Sequence, residues 1–248
     1  MADPFYSIVI PAYNESERLR ETLDSVVACV AEKKWDVEVI VVNDGSRDNT
    51  RDIILEYAVK HACVRLLDNP GNRGKGYSVR HGMLEARGEL LLFSDADLAS
   101  PIEEAERLFA VMRGGVEVAV GSRWLDPSLQ TVRQPFYRRV LGRIYNLLLR
   151  VLLGLNYKDT QCGFKAFTRA AAQAVFPRQI IERWGFDPEI LYLARHLGLK
   201  IEEVAVHWAH RENTKLHPFR DGVRMFGELL RIRWYAVRGR YAGPRAVG

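Results

Sequence analysis

The stretch LLLFSDADL, residues 90–98, decides the fold of this chain. Its four leading apolar residues predict a strand that is buried on both faces. The strand stops at Asp95 and Asp97, whose carboxylates would share one side if the strand continued. Carboxylates this close repel each other unless a cation compensates them. A divalent metal such as Mg²⁺ or Mn²⁺ suits oxygen ligands and phosphates, and a solvated acidic loop is the alternative interpretation.

Strands and helices are predicted to alternate on both sides of this stretch. Apolar runs predict strands at residues 6–10, 37–42, 64–67, 90–93, 116–120 and 200–206. Apolar residues at helical spacing predict helices at about residues 17–32, 50–60, 77–86, 102–112, 134–154, 187–197 and 219–238. This alternation with short connections indicates an α/β fold, with a mostly parallel sheet and helices on both faces.

The composition is that of an ordinary globular protein. The chain has 248 residues, of which 48% are hydrophobic and 27% are charged, and this length suits one large domain or two small ones. No run of about 18 apolar residues occurs, so no transmembrane helix is expected, and the N-terminus lacks the pattern of a secretory signal. Cys29, Cys63 and Cys162 lack metal-ligand spacing, which favours reduced thiols in a cytoplasmic protein.

Polar clusters follow three of the predicted strands at their carboxyl ends. They are Tyr13-Asn14-Glu15, Asn43-Asp44-Gly45-Ser46 and Asp95-Ala96-Asp97. Ligands bind at this edge of open parallel sheets, so three clusters at equivalent positions favour a binding site.

A glycine-rich loop, GNRGKG at residues 71–76, follows the third predicted strand. It matches neither the P-loop pattern nor GxGxxG. Two interpretations remain open at this point. The loop is either a flexible surface segment or one whose backbone and Lys75 approach a nucleotide.

The second half of the chain carries many cations. Arg123 ends a predicted strand, where its planar fork suits phosphate oxygens, although a surface arginine is commoner in general. The predicted helices at residues 134–154 and 219–238 are basic and amphipathic. Such helices lie in a membrane interface on anionic headgroups, or pack on the core or on a second copy in a homodimer. Their arginines are not interleaved with stacking aromatics, so nucleic-acid binding is not expected.

Four segments together resemble the nucleotide-binding half of glycosyltransferase family 2. They are SIVIPAYNE (7–15), VVNDGSRDNT (41–50), NRGKG (72–76) and FSDADL (93–98), in this order. The resemblance covers roughly residues 5–123 and implies an inverting transferase of the GT-A fold that uses a nucleotide-sugar donor and a divalent metal. We accordingly expect a single domain, residues 1–248, with a donor half at 5–123 and an acceptor half at 124–240.

The resemblance also implies roles for individual residues. The donor-binding residues would be Pro11, Tyr13, Glu15, Val42, Asp44, Lys75, Asp95 and Ala96. Asp95 and Asp97 would bind the metal, with Asp97 at the diphosphate. Asp97 and Asp187 are the candidate catalytic residues, although Asp187 also suits the N-cap of the helix that follows it.

The segment DTQCGFKAF, residues 159–167, resembles the polyprenyl-phosphate branch of the same family. His207-Trp208 and Glu212-Asn213-Thr214-Lys215 resemble a second element of that branch, in which the lysine reaches the donor phosphates or the acceptor. The candidate cations for the acceptor phosphate are Arg123, Arg139, Lys165 and Lys215.

The leading hypothesis is glucose transfer from UDP-glucose to a polyprenyl phosphate, by a peripheral protein on the cytoplasmic face of a membrane. Ser100-Pro101-Ile102 resembles the glucose-transferring enzymes of the branch more than the mannose-transferring ones. The alternatives are a GDP-mannose donor, a saccharide hydroxyl as acceptor, and a nucleotide-binding module without catalysis. A hydroxyl acceptor needs a general base, for which Asp187 and Glu189 are the candidates, whereas a lipid phosphate is already ionised.

Overall fold

The computed structural model describes residues 3–129, 136–209 and 218–243. Seven strands form one sheet. They are β1 (Tyr6–Ala12), β2 (Val37–Asn43), β3 (Val64–Asp68), β4 (Leu90–Ser94), β5 (Val118–Ser122), β6 (Phe164–Thr168) and β7 (Ile201–Ala205). The flanking helices are α1 (Leu19–Lys33), α2 (Thr50–Lys60), α3 (Lys75–Glu85), α4 (Ala105–Arg113), α5 (Phe136–Leu153), α6 (Arg169–Val175), α7 (Phe186–His196) and α8 (Pro218–Val237).

The sheet is mostly parallel. Its strand order is β3-β2-β1-β4-β6-β5-β7. β1 pairs in parallel with β2 and β4, β2 pairs with β3, and β5 pairs with β7. β6 is antiparallel to both of its neighbours, β4 and β5. The predicted α/β architecture is confirmed, and the carboxyl ends of β1, β2, β4 and β5 lie at the same edge of the sheet.

Two hydrophobic cores cover the two faces of the sheet. Successive residues of a strand point to opposite faces, so Ile8 and Ile10 of β1 face one core and Val9 faces the other. Helices α1, α2 and α4 close the first core. Helices α3, α5, α6, α7 and α8 contribute to the second. The central strands are therefore buried on both sides, as the continuous apolar runs predict.

The sequence patterns did not predict β6 and α6. Phe164 and Ala166 face the first core and Phe167 faces the second, so β6 is a strand buried on both faces. Lys165 interrupts its apolar run, although the side chain of Lys165 is completely buried. A buried charge in the middle of a strand conceals the pattern on which the strand predictions rest.

One local interpretation is wrong. Asp187 is not the N-cap of α7, because Gly185 occupies that position and Asp187 lies in the first turn of the helix. By contrast, β4 ends at Ser94, so the strand stops before Asp95 and Asp97 as predicted. Leu98 then takes a left-handed backbone conformation with φ of 44°, which turns the chain out of the strand direction.

Helices α5 and α8 pack against each other. The apolar residues of α8 divide between two sides of the helix, and Leu229, Ile232 and Tyr235 belong to the second core. An exposed apolar row lies on the other side and consists of Phe226, Leu230, Trp234 and Val237. Within the three described segments, no helix combines the length and apolar character that crossing a membrane requires.

Candidate active site

The turns after β1 and β2 are joined to each other by hydrogen bonds. The backbone N–H of Asn14 donates to Ser46 Oγ at 3.1 Å, and that of Glu15 donates to Thr50 Oγ1 at 2.8 Å. Asn14 has φ of 52°, a conformation in which asparagine is enriched. The first two predicted polar clusters therefore form one continuous surface at the carboxyl edge of the sheet.

Asp44 holds the glycine-rich loop. Its Oδ1 accepts hydrogen bonds from Asn69 Nδ2 and from the backbone N–H of Arg73, and its Oδ2 accepts one from the N–H of Gly74, each at 2.8 Å. Gly74 has φ of 107°, and a Cβ at this position would lie 2.7 Å from the carbonyl oxygen of Glu182. The loop is thus fixed on both sides, which contradicts its interpretation as a flexible surface segment.

Lys75 begins α3 directly after this loop. Its Nζ lies 2.5 Å from Asp95 Oδ1 and 5.3 Å from the centre of the Trp184 ring. Burial alone would lower the pKa of Lys75, but the nearby carboxylates of Asp95, Asp187 and Asp97 raise it above its ordinary value. Lys75 is therefore a charged ammonium group beside the aspartate pair.

The aspartate pair has the properties of a divalent-metal site. Burial raises the pKa of Asp97, and the charge of Asp95 raises it further. Asp97 Oδ1 accepts a hydrogen bond from the backbone N–H of Ala99 at 3.0 Å. In the described part of the chain, no group of three or more His, Cys, Asp or Glu residues could hold a metal. Two carboxylates fit Mg²⁺ or Mn²⁺ because such ions are commonly held by one or two carboxylates together with substrate phosphates.

Asp95 is held tightly against the backbone of Gly163. The N–H of Asp95 donates to the carbonyl oxygen of Gly163 at 3.2 Å. A Cβ on Gly163 would lie 2.2 Å from Asp95 Oδ2, closer than any real contact. A small recess adjoins the two residues, and it is lined by Ser94, Asp95, Ala99, Ser100, Cys162, Gly163, Phe164 and Trp208. A larger residue in place of the glycine of the CGF motif would therefore displace the Asp95 carboxylate from its present position.

Arg123 forms a two-pronged ion pair with Asp159. Its Nε and Nη2 donate to the two carboxylate oxygens of Asp159 at 2.6 and 2.8 Å. Burial alone would raise the pKa of Asp159, but Arg123 holds it below its ordinary value. The Arg123 guanidinium lies 5.3 Å from the centre of the Trp208 ring. The side chain of Arg123 is 18% exposed, so it reaches the surface of the site with its orientation fixed.

Lys165 and Asp187 form a second ion pair, which is sealed from solvent. Their side chains are 0% and 4% exposed. The Lys165 ammonium donates to Asp187 Oδ1 and, at 2.6 Å, to the carbonyl oxygen of Cys162. The structure therefore contradicts direct contact of Lys165 with an acceptor phosphate in this conformation. Lys165 instead holds Asp187 in place.

The comparisons with known proteins agree with this geometry. The family model described as Glycosyl transferase family 2 matches residues 7–176. The chain belongs to glycosyltransferase family 2. It is 38% identical to the dolichyl-phosphate beta-glucosyltransferase of Dictyostelium discoideum over 95% of this chain and 76% of that protein. It is 35% identical to the dolichyl-phosphate beta-glucosyltransferase of Homo sapiens over 94% of this chain and 76% of that protein.

Solved structures show the same fold. A crystal structure of glucosyl-3-phosphoglycerate synthase from Mycobacterium tuberculosis, in complex with Mn²⁺, UDP and glucosyl-3-phosphoglycerate, superimposes with a TM-score of 0.65. It is 19% identical in sequence, and the match covers 98% of this chain and 82% of that one. This family 2 glycosyltransferase therefore has the GT-A fold.

The other predicted donor residues of this glycosyltransferase differ in exposure. Tyr13 is 36% exposed, and Pro11 is half-buried. Glu15 Oε2 lies 2.7 Å from Arg18 Nε. These residues lie at the site edge, where their donor-binding roles remain predictions.

Besides Asp44, two of the predicted donor residues are buried. Val42 has no exposed surface and belongs to the second core, so its side chain offers no surface to a base. Ala96 is 7% exposed, and its carbonyl oxygen accepts a hydrogen bond from Thr22 Oγ1 at 2.6 Å. The side chains of both residues therefore pack beneath the surface of the site and do not line it.

Two predicted acceptor cations cannot be placed. Lys215 lies outside the described residues, and the Arg139 side chain is also outside the description. Conversely, the sequence patterns assigned no role to Asp159, Asn69 or Trp184. Asp159 opens the quoted DTQCGFKAF motif, so a signal was present for it, whereas the partners of Asn69 and Trp184 are distant in sequence.

Proposed function

We propose that this glycosyltransferase moves glucose from UDP-glucose to a polyprenyl phosphate, with inversion at the anomeric carbon and with Mg²⁺ or Mn²⁺ at Asp95 and Asp97. The two similar proteins named above are dolichyl-phosphate beta-glucosyltransferases, at 38% and 35% identity. The structural neighbours hold UDP with Mn²⁺ or with Mg²⁺. These likenesses support the donor, the metal and the acceptor class together.

One structural observation carries the choice of acceptor. The carboxylates that could act as general base are both buried and engaged. Asp187 is paired with Lys165, and the completely buried Glu189 accepts hydrogen bonds from the N–H groups of Ile180 and Ile181 and from the Tyr241 hydroxyl. A saccharide hydroxyl needs a base within hydrogen-bond reach of its proton. A phosphate monoester is already ionised at neutral pH, so this site suits a phosphate acceptor.

On the donor side, the residues of the chain hold and orient the nucleotide. The metal, when bound at Asp95 and Asp97, supplies positive charge to the departing diphosphate. Asp44 keeps the loop before Lys75 in one conformation, with the Lys75 ammonium beside Asp95, and we propose that this ammonium contacts the diphosphate of the donor. The exposed ring of Tyr13 is the candidate surface for the base.

On the acceptor side, Arg123 is the residue best prepared for a phosphate. Asp159 occupies one edge of its guanidinium and Trp208 lies beside it, so the group loses little conformational freedom when it binds an anion. We propose that the oriented Arg123 guanidinium contributes positive charge to the acceptor phosphate, together with Lys215 and Arg139. The sealed Lys165 contributes through Asp187.

A lipid acceptor requires a membrane surface, and we propose that α8 provides the contact. The exposed apolar row of α8 is accompanied by exposed arginines at positions 231, 233, 238 and 240. The Arg238 guanidinium lies 5.3 Å from the centre of the Trp234 ring. Apolar side chains in the acyl boundary and arginines on anionic headgroups are the two parts of an interfacial helix.

Sedimentation with vesicles tests this contact. We expect vesicles that contain anionic phosphatidylserine to bind the protein at low salt, and the bound fraction to fall with salt because the arginine–headgroup attraction is screened. The variant Trp234→Ser/Val237→Ser should bind less, and the matched variant Leu55→Ser/Val59→Ser on exposed positions of α2 should bind like the wild type. If the protein is a dimer and the same fraction of it sediments with and without vesicles, the exposed apolar row of α8 would belong to a homodimer interface instead.

A screen of donors and acceptors tests the reaction itself, with released nucleoside diphosphate as the readout. We expect UDP-glucose with a polyprenyl phosphate to be the most active pair. Asp97→Asn should lower turnover by roughly 10³-fold or more, and EDTA should do the same, because the charge on the leaving diphosphate is no longer neutralised. The matched control is Asp52→Asn, on an exposed position of α2.

The same screen separates the alternative functions. Turnover with GDP-mannose alone would replace the donor. Turnover onto saccharides with lipid phosphate ignored would replace the acceptor and would require Asp187 or Glu189 to act as base. Full activity of Asp97→Asn, or in EDTA, would overturn the metal-dependent mechanism.

A further inference from the structure

The Lys75 ammonium contacts Asp95, one of the two residues that would hold the proposed metal. Its Nζ lies 2.5 Å from Asp95 Oδ1, so the ammonium already compensates the carboxylate that the proposed metal must use. Within the described segments, no ion pair involves Asp97, whose Oδ1 takes the backbone N–H of Ala99. The Lys75 ammonium therefore neutralises one of the two carboxylates of the proposed metal site.

The backbone on either side of this ion pair is constrained. The N–H of Asp95 donates to the carbonyl oxygen of Gly163, and the Asp95 carboxylate lies so close to Gly163 that a Cβ there would be 2.2 Å from Oδ2. The backbone of Lys75 is fixed by its two glycine neighbours. A Cβ on Gly74 would lie 2.7 Å from the carbonyl oxygen of Glu182, and one on Gly76 would lie 2.6 Å from that of Ile181. A change of partner for the ammonium therefore requires the Lys75 side chain to rotate while its backbone stays in place.

The surroundings of the ammonium favour this arrangement without sealing it. Two aromatic rings face it, with the centre of Trp184 at 5.3 Å and that of Phe186 at 5.9 Å. These rings attract a cation through their faces. The side chains of Lys75 and Asp95 are nevertheless 16% and 35% exposed, so both remain open to a ligand.

We infer that Lys75 is a resident counter-ion that couples metal binding to nucleotide binding. A metal ion alone must compete with the ammonium for Asp95, whereas a metal ion that arrives with a nucleoside diphosphate brings phosphate oxygens that give Lys75 a new partner. The two ligands then strengthen each other's binding by the same factor. This inference rests on the proposed metal and nucleotide site. It adds that the metal binds this site more tightly together with the nucleotide than alone.

Isothermal titration with Mn²⁺ tests the coupling, because it measures binding and not turnover. In the wild-type protein we expect Mn²⁺ to bind weakly alone and at least about tenfold more tightly in the presence of UDP. In Lys75→Met, Mn²⁺ alone should bind about tenfold more tightly than to the wild type, and the effect of UDP should shrink. Lys75→Gln provides the same test if the methionine variant does not fold.

Two control variants make the result specific. Arg73→Met removes one positive charge from the same loop, but Arg73 pairs with Glu182 at 2.7 Å and not with Asp95. Its affinity for Mn²⁺ alone should stay close to that of the wild type. Lys75→Arg keeps the charge and should also bind Mn²⁺ weakly.

The outcomes separate this inference from the proposed function. If UDP strengthens Mn²⁺ binding but Lys75→Met binds Mn²⁺ alone no better than the wild type or Arg73→Met does, the counter-ion role is wrong and the proposed function stands. If no variant binds Mn²⁺ with or without UDP, the metal site itself is wrong, and both proposals are overturned.

Discussion

Two lysine–aspartate pairs lie in this site, and they differ in how well they are sealed from water. The side chains of Lys165 and Asp187 are 0% and 4% exposed, and those of Lys75 and Asp95 are 16% and 35% exposed. The first pair is anchored between β6 and α7 in the second core, and the second pair lies at the open edge of the sheet. The same two groups thus serve as a fixed support in one place and as an exchangeable contact in the other.

The largest effect is expected when the sealed pair is broken. Lys165→Met should lower the free energy of unfolding by about 3–5 kcal/mol, because it leaves the Asp187 carboxylate buried without its cation. Urea denaturation followed by circular dichroism measures the loss. The double variant Lys165→Met/Asp187→Asn should recover a large part of it, since no buried charge remains. The matched control is Lys60→Met, at an exposed ion pair, which should lower the free energy of unfolding by less than about 1 kcal/mol. An equally small loss for Lys165→Met would contradict the distinction between the sealed pair and the open pair.

An intermediate effect is expected at the glycine that supports the open pair. Gly163→Ala places a Cβ where the Asp95 carboxylate now lies. The substitution should cost about 1 kcal/mol of the free energy of unfolding, at the low end for overpacking, because the clash is with the movable end of the Asp95 side chain. It should also weaken Mn²⁺ binding in the presence of UDP, because Asp95 has to shift. Gly115→Ala is not a suitable control because of its positive φ, whereas Gly142→Ala in α5 has open space around it. Equal Mn²⁺ affinity for the two variants would show that the position of Asp95 is not critical.

The smallest effect on stability is expected when the open pair is broken. Lys75→Met should change the free energy of unfolding by no more than about 1 kcal/mol, because solvent replaces much of what the lost ion pair provided. The same urea titration measures it beside Lys165→Met. A loss as large as that of Lys165→Met would show that the open pair also supports the fold, and the contrast between the pairs would disappear.

The sequence predicted most of the strands but not the partners of the buried charges. The apolar runs located β1, β2 and β4 because those strands are buried on both faces, and they also located β3, which is only partly buried. β6 escaped the same argument because Lys165 lies inside it, and the partner that allows a lysine there, Asp187, is 22 residues further along the chain. Local patterns report burial, but they do not report which distant group compensates a buried charge.

The glycine-rich loop shows the same limit. Its composition is as compatible with flexibility as with a fixed conformation. Asp44, 29 residues before Arg73, accepts the loop's backbone N–H groups and determines which of the two occurs. The family motifs placed Asp44 and Lys75 in one site, but they did not indicate that Lys75 lies beside Asp95. That contact depends on where the two side chains lie, and their positions are known only once the strands have assembled into the sheet.

The position of β6 has a consequence for the way in which the chain is made. β6 separates β4 from β5, although both are synthesised before it. Until residues 164–168 leave the ribosome, β4 and β5 each have an edge whose backbone N–H and C=O groups are unpaired. Such edges can pair with other chains and cause aggregation. The donor half therefore cannot complete its own sheet during translation. Any fragment of the chain that ends before Phe164 should need a chaperone to stay in solution.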